Sequence, residues 1–254
     1  MPTAPPDPVA YLDRVAASAA ARAYKAPLLD ALDLGPGHTV LDVGCGPGTD
    51  LADLATRVTG TGRVIGIDLN PAMVATATQR LAGRPEVEVR VGDAHDLPFG
   101  DGIADRARAD RVLMHLRDPA RAMAELRRVL RRGGLLTLAE SDWDTLAIDD
   151  VDPAVSRGYA RFMADRFIRN GTVGRQLARL AGDAGFVVRA AGATTPVLRD
   201  FAIADALLGL RRNTATAVDE GYLDGSAATE WLGRLATGPF LAGFSVFTVL
   251  AEAG

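Results

Sequence analysis

Three glycines at alternate positions, Gly44, Gly46 and Gly48, follow an apolar run that carries a single acid, Asp42. A glycine turn between strand and helix can set backbone N–H groups and a positive helix end against an anionic ligand group. The dinucleotide fingerprint puts its third glycine three positions after the second, whereas here Gly48 follows at two and Thr49 comes next. Asp42 argues the same way, because a carboxylate there repels a pyrophosphate and suits an ammonium group. Asp68 stands 20 residues after Gly48, where a carboxylate can accept from both hydroxyls of a ribose. Its alternative duty, capping the next helix, already falls to Asn70, directly before Pro71. Asp93 can accept from the exocyclic amine of a base or serve as a turn aspartate.

These residues need a scaffold, and the chain supplies alternating elements. After a Pro-rich leader, Met1 to Pro8, apolar spacing predicts two helices between Val9 and Leu34, with Pro27 starting or kinking the second. Strands are expected at Thr39–Val43, Arg63–Asp68, Val87–Val91 and Leu135–Ala139, the first two each followed by a helical pattern. The stretch Ile103–Ala109 is too charged to be read as a strand from pattern alone. Gly133-Gly134 is expected to close the helix opened by Asp118-Pro119. Further helices are expected at Val155–Phe167, Val173–Ala184, Phe201–Arg212 and Ala227–Leu235, with strands at Phe186–Ala190 and Phe244–Leu250. Alternation of this kind implies an α/β doubly wound parallel sheet with right-handed crossovers.

At this point the chain resembles the class I S-adenosylmethionine-dependent methyltransferases, in the small-molecule branch related to ubiquinone and menaquinone methyltransferases. Five motifs carry the resemblance across residues 37–140: Val40-Leu-Asp-Val-Gly-Cys-Gly-Pro-Gly-Thr49, Gly66-Ile-Asp-Leu-Asn-Pro-Ala-Met73, Val91-Gly-Asp-Ala-His-Asp-Leu-Pro-Phe99, Arg111-Val-Leu-Met-His-Leu-Arg-Asp-Pro119 and Leu126-Arg-Arg-Val-Leu-Arg-Arg-Gly-Gly134. The resemblance implies a Rossmann-like seven-stranded sheet with the last strand antiparallel. It implies N-terminal leader and lid helices over residues 1–34, and a methyltransferase domain over 35–254 with helical cap insertions near 141–172 and 199–238. Carried over by position, Gly44 and Gly46 let the backbone approach the methionine moiety and Asp42 reaches its ammonium. Asp68 and its neighbour Leu69 hold the ribose end, Asp93 with the Ala94 amide holds the adenine, and Arg111 sits beside the cofactor.

Methyl transfer from a sulfonium asks mainly for proximity, orientation and exclusion of water, with a base only where the acceptor keeps its proton at neutral pH. His115 is the candidate base and pocket residue, or else a helix-start histidine with a structural hydrogen bond. His95 is expected on the adenine loop and His38 exposed at the far end of the sheet. Trp143, in Glu140-Ser-Asp-Trp-Asp144, is expected on the pocket wall; the plain alternative is a solvated acidic loop. Tyr11 and Tyr24 are lid candidates. Arg169, Asn170 and Arg175 can meet an anionic substrate or lie on the surface, and Trp231 reads as cap core.

Composition narrows the partners. The formal charge of −4, from 28 basic and 32 acidic residues, is not the footprint of a nucleic-acid binder. Lys25 is the only lysine, a bias read as genomic. Cys45 has no partner for a disulfide or a cysteine metal site, and none is expected. There is no signal-peptide pattern and no apolar run long enough for a bilayer, so the expectation is a cytoplasmic monomer or homodimer acting on a small molecule. Two rival readings remain: a cyclase or binding protein that uses the same ligand without methyl transfer, and a nicotinamide-dependent oxidoreductase, which the glycine spacing and Asp42 disfavour.

Overall fold

The glycine turn starts where the most deeply covered strand ends. In the computed structural model, which describes residues 7–254, β1 (Thr39–Val43) buries Val40, Leu41 and Val43, as a strand with helices on both faces must. Residues 1–6 of the expected leader lie outside the described residues; Pro8 already belongs to a helix capped by Asp7. β1 pairs in parallel with β2 (Arg63–Asp68), and β2 with β3 (Val87–Val91). On its other side lie β4 (Ala104–Asp110) and then β5 (Leu130–Ile148), also parallel. Beyond them come β6 (Phe186–Thr194), a two-residue β7 (Val197–Leu198) and the last strand, β8 (Ala242–Ala253). β8 is antiparallel and inserts between β5 and β6, giving the order β3-β2-β1-β4-β5-β8-β6, with β7 pairing β8. The doubly wound sheet with an antiparallel last strand is therefore as expected, with β7 added.

Two N-terminal helices precede the sheet, α1 (Pro8–Ala16) and α2 (Ala19–Ala31), and Pro27 lies inside the second. Along the sheet run α3 (Leu51–Val58), α4 (Pro71–Arg80) and α5 (Pro119–Val129), the last two opening on Asn70 and Asp118 caps. Later come α6 (Pro153–Phe162) and α7 (Leu177–Asp183). The single helix expected over Phe201–Arg212 is broken at Gly209, which takes a left-handed φ of 67°; it becomes α8 (Phe201–Leu208) and α9 (Leu210–Asp219), followed by α10 (Gly225–Thr237). Trp231 is fully buried among these cap helices, its ring 5.4 Å from Tyr159 and its N–H donating to Ser156 Oγ at 3.1 Å.

One expectation is corrected and one alternative falls. Gly133-Gly134 does not close α5, which ends at Val129. Leu130 pairs with Ala104 and Leu135 with Arg106, so the glycines ride in a bulge within the strand. Nor is Glu140–Asp144 a solvated loop: β5 runs 19 residues, and Glu140, Ser141 and Asp142 are buried at 0%, 2% and 0% exposure. Acids can sit there because each has a built partner. Arg175 holds Asp142, with Nη2 to Oδ1 at 2.7 Å. Glu140 Oε1 accepts the backbone N–H groups of Val112 at 2.7 Å and Leu113 at 2.5 Å, fixing the turn that follows β4. Its Oε2 has no hydrogen-bond partner among the described residues, and burial pushes the carboxyl up to about 8 despite those two amides.

The charged stretch is the centre of the sheet. Arg106 and Arg108 on β4 are 7% and 5% exposed. Arg106 donates to the Leu32 and Asp33 carbonyls just beyond the end of α2. Arg108 Nη1 lies 2.8 Å from Asp50 Oδ2 and 3.4 Å from Asp42 Oδ2, while Nη2 donates to Asp110 Oδ2 at 3.1 Å. Lys25 of α2 adds 2.6 Å to Asp50 and 3.3 Å to Asp110, and the Tyr24 hydroxyl donates to Asp110 Oδ1 at 3.0 Å.

Two outcomes are expected. Arg108→Ala leaves three acids without their shared cation and should cost about 3–5 kcal/mol in denaturant unfolding, the penalty of half a broken buried network; a loss below 1 kcal/mol would refute that role. Glu140 should make stability fall as pH rises. The unfolded carboxyl releases its proton near 4.5 and the folded one near 8, so between them only the native state holds it. The slope should approach about 1.4 kcal/mol per pH unit and flatten in Glu140→Gln; parallel slopes for the two proteins would refute it.

Candidate active site

The C-terminal ends of β1, β2, β3 and β4 open onto one cleft of about 1010 Å³, where a doubly wound sheet holds its ligand. Asp42, Gly44, Gly46, Asp68, Leu69, Asp93, Ala94, Arg111, Tyr11, His115 and Trp143 all line it. Of the residues expected at the site, only Tyr24 does not: it is buried beneath the cleft, bound to Asp110.

The glycine turn is built for shape. Gly44, Gly46 and Gly48 have φ of 74°, 54° and 79°, in the left-handed region that a side chain resists. A Cβ on Gly44 would meet Val112 Cγ2 at 2.3 Å. The turn's donors are spent inside the protein: Gly44 and Cys45 N–H both donate to Ile67 O, Gly46 N–H to Asp68 Oδ2 at 2.8 Å, and Gly48 N–H to Cys45 O. Those groups are not a phosphate cradle, in agreement with the reading against a dinucleotide.

Each acid has a defined setting. Asp42 is 3% exposed at the back of the cleft; burial lifts its carboxyl to about 6, against the pull of Arg108. Asp50 is held at about 2, because Arg108 and Lys25 outweigh its burial. Asp68 accepts from Gly46 N–H and, through Oδ1, from Asn70 N–H at 2.9 Å, so it braces the turn and the start of α4 together. Asp93 Oδ1 accepts from His95 N–H at 2.9 Å and pairs with His95 Nδ1 at 2.6 Å. His95 Nε2 accepts from Asp118 N–H at 3.2 Å, an arrangement that requires the Nδ1–H tautomer and ties the loop after β3 to α5. His38 is half-buried rather than exposed, its Nδ1 accepting from Gly35 N–H.

Arg111 has φ of 58°, an outlier for a non-glycine, and its N–H donates to Ala139 O at 2.8 Å. This strained residue sends its Nε toward Asp110 Oδ1 at 3.4 Å. His115 lines the mouth; loss of water around the ring, which disfavours its charged form, and then the Arg111 guanidinium hold it below the ordinary imidazole value. Trp143 is 8% exposed and stacks on Phe244, with centroids 4.9 Å apart and rings 22° from parallel. Asn170 spends its amide on the Leu113 and Leu116 carbonyls, and Arg175 is taken by Asp142 and Asp144. Sequence reasoning missed Lys25, Asp50, Arg108, Asp110 and Glu140. It also missed the π-helical turn Met163–Phe167, whose Met163 and Phe167 reach the cleft.

The donor set suits S-adenosylmethionine: Asp42 for an ammonium, Asp68 for a ribose, and Asp93 Oδ2, without a protein partner among the described residues, for an adenine amine. Comparisons with known proteins agree. Residues 41–138 match the methyltransferase domain family. An uncharacterised 37.1 kDa protein in a transposon of Streptomyces fradiae is 54% identical over 99% of this chain and 73% of its own length. The methyltransferase GfsG of Streptomyces halstedii is 35% identical over 56% of this chain and 51% of its own, so the chain spans about half the length of that named relative. Among solved structures, YcgJ of Bacillus subtilis aligns with a TM-score of 0.67 at 17% identity, covering 89% of this chain and 96% of that one. Geranyl diphosphate C-methyltransferase of Streptomyces coelicolor, solved with S-adenosyl-L-homocysteine, gives 0.57 at 20%, covering 91% and 78%. The [4+2]-cyclase SpnF gives 0.58 at 22%, covering 92% and 82%. At these identities the structures speak for the fold. With the matched domain, the named methyltransferase relative and the architecture in agreement, the chain belongs to the class I S-adenosylmethionine-dependent methyltransferases.

Proposed function

We propose that the protein transfers a methyl group from S-adenosylmethionine to an oxygen, nitrogen or carbon nucleophile of a small, largely apolar natural-product acceptor. The observation that carries this reading is the continuity of the cleft. It runs from the acids and glycines of β1–β3 to a wall of Met114, Trp143, Met163, Phe167, Ile168 and Leu207. The bound cofactor supplies an electrophilic methyl on a sulfonium, and the protein supplies placement and dryness. Asp42, Asp68 and Asp93 orient its two ends. Tyr11 and Leu12 of α1 cover the glycine turn, held there by the bidentate Asp13–Arg80 pair at 2.7 and 2.8 Å. The reading includes a cytoplasmic protein acting as monomer or homodimer.

His115 is assigned the proton. A ring held below the ordinary imidazole value is unprotonated at neutral pH and can accept from a hydroxyl or ammonium nucleophile. A second reading keeps the cofactor and drops the reaction; it draws on the likeness to a cyclase fold. Incubation with S-adenosylmethionine and a library of apolar natural products separates the two. Methylated product with matching S-adenosylhomocysteine supports transfer, and turnover of an acceptor without homocysteine release supports the second reading.

Two variants test the residue roles. Asp68→Ala should weaken S-adenosylmethionine binding by about 1–3 kcal/mol in calorimetry and cost about 1 kcal/mol of stability, since two backbone amides also lose their acceptor; wild-type affinity would release Asp68 from the ribose. His115→Gln should lower kcat about a hundredfold with cofactor affinity unchanged, and wild-type kcat should decline as pH drops through the ring's lowered pKa. An unchanged kcat in the variant would remove His115 from proton transfer.

A further inference from the structure

The two halves of the cleft differ in charge. All five carboxylates that line it, Asp42, Asp50, Asp68, Asp93 and Asp110, belong to the cofactor half or to the network beneath it. The acceptor half has none. It has instead Arg169 and Arg212, with Arg117 at its edge, where its charge also acts on Asp93 of the cofactor half; all three are exposed. Among the described residues none of the three has a carboxylate within ion-pair distance, although the arginines beside them are paired: Arg166 with Glu220, Arg175 with Asp142 and Arg211 with Asp205.

The fold brings the three to one rim. Asn170 N–H donates to Met114 O at 3.0 Å and its side-chain amide to Leu116 O at 2.7 Å, which stitches Arg169 beside the segment carrying Arg117. Arg212 reaches across from α9 and lies over the Phe167 ring, 5.8 Å from its centroid, two residues before Arg169. Below this rim the wall is apolar, and Trp143 carries a buried indole N–H with no acceptor among the described residues. An exposed arginine alone is usually a solvated surface charge. Arg169 and Arg212, with no carboxylate in ion-pair range among the described residues and only the neutral Asn213 amide oxygen on Arg212 Nε at 3.1 Å, stand over an apolar wall and make a complementary field for one sign of ligand.

We propose that the acceptor is an organic anion: an apolar body seated against Trp143, Met163 and Phe167, bearing a carboxylate or phosphate held at the rim by Arg169 and Arg212 with Arg117 nearby. This rests on the reading of the cleft as a methyltransferase site, and it makes the rim the element that selects the acceptor.

The test uses the full chain loaded with S-adenosylhomocysteine and two fluorescent probes of one aromatic shape, anionic anilinonaphthalenesulfonate and neutral N-phenylnaphthylamine. The anion should bind about tenfold tighter and lose that advantage as salt is raised. The Arg169→Ala/Arg212→Ala double variant should lose about tenfold for the anion and little for the neutral probe, and Arg169→Lys/Arg212→Lys should keep most of it. Equal affinity for both probes, or an unchanged anion affinity in the alanine variant, overturns the proposal. Calorimetry with S-adenosylhomocysteine is read on every variant. Normal cofactor binding with no anion preference overturns this inference alone, and absent cofactor binding in the wild type overturns the methyltransferase reading and this inference with it.

Discussion

Everything at the cleft hangs on one buried guanidinium. Arg108 reaches from the central strand to Asp42 on β1, Asp50 at the start of α3 and Asp110 at the end of its own strand. Through Asp50 and Asp110 it meets Lys25 and so holds α2 against the sheet. Burying three acids among Arg108, Lys25 and Arg111 is not a cheap way to stabilise a protein, since an apolar core of equal volume is often as good or better. Its effect is geometric. The partners can be satisfied only if β1, β4, α2 and the glycine turn are in register, so the network specifies the floor of the cofactor half more sharply than apolar packing would.

The same logic explains the turn after β4. Arg111 is held in a left-handed conformation that costs on the order of 1–3 kcal/mol, and it stays there because neighbouring donors are all engaged. Ala139 takes the Arg111 N–H, and Glu140 takes those of Val112 and Leu113. Val112 then fills the space that a side chain on Gly44 would need, so the strained turn and the glycine turn lock one another. A carboxyl that stays protonated near neutral pH is tolerated here for the backbone it holds.

Legibility of the chain follows from how local each signal is. β1, β2 and β3, the Asn70 and Asp118 caps and the gathering of Asp42, Asp68 and Asp93 at one cleft were readable because strand composition, caps and glycine spacing are short-range. β4 was not, because Arg106 and Arg108 look like solvent-facing residues until their partners arrive from α2, α3 and β1. The far half of β5 was misread for the same reason: Glu140 and Asp142 are neutralised by a turn and by an arginine 33 residues on. Lys25 is anonymous in sequence, and only the fold makes its single ammonium part of the floor.

This division carries a physical consequence for specificity. The cofactor half is assembled from the ends of adjacent parallel strands, whose register leaves little freedom, and its acids are fixed by backbone amides and buried cations. The acceptor half comes from α6 and its π-helical end, the α8–α9 break at Gly209 and the segment after β4, which meet through side-chain packing, the Asn170 clamp and the Tyr159 hydroxyl on the Leu208 carbonyl rather than through a strand ladder. Exchanging an exposed side chain such as Arg169 alters the field at the mouth without touching a buried ion pair, whereas exchanging Asp42 or Asp50 unpairs Arg108. Change in what the protein accepts is therefore cheap at the rim and costly at the floor, which is how one sheet can keep its cofactor while its acceptor varies.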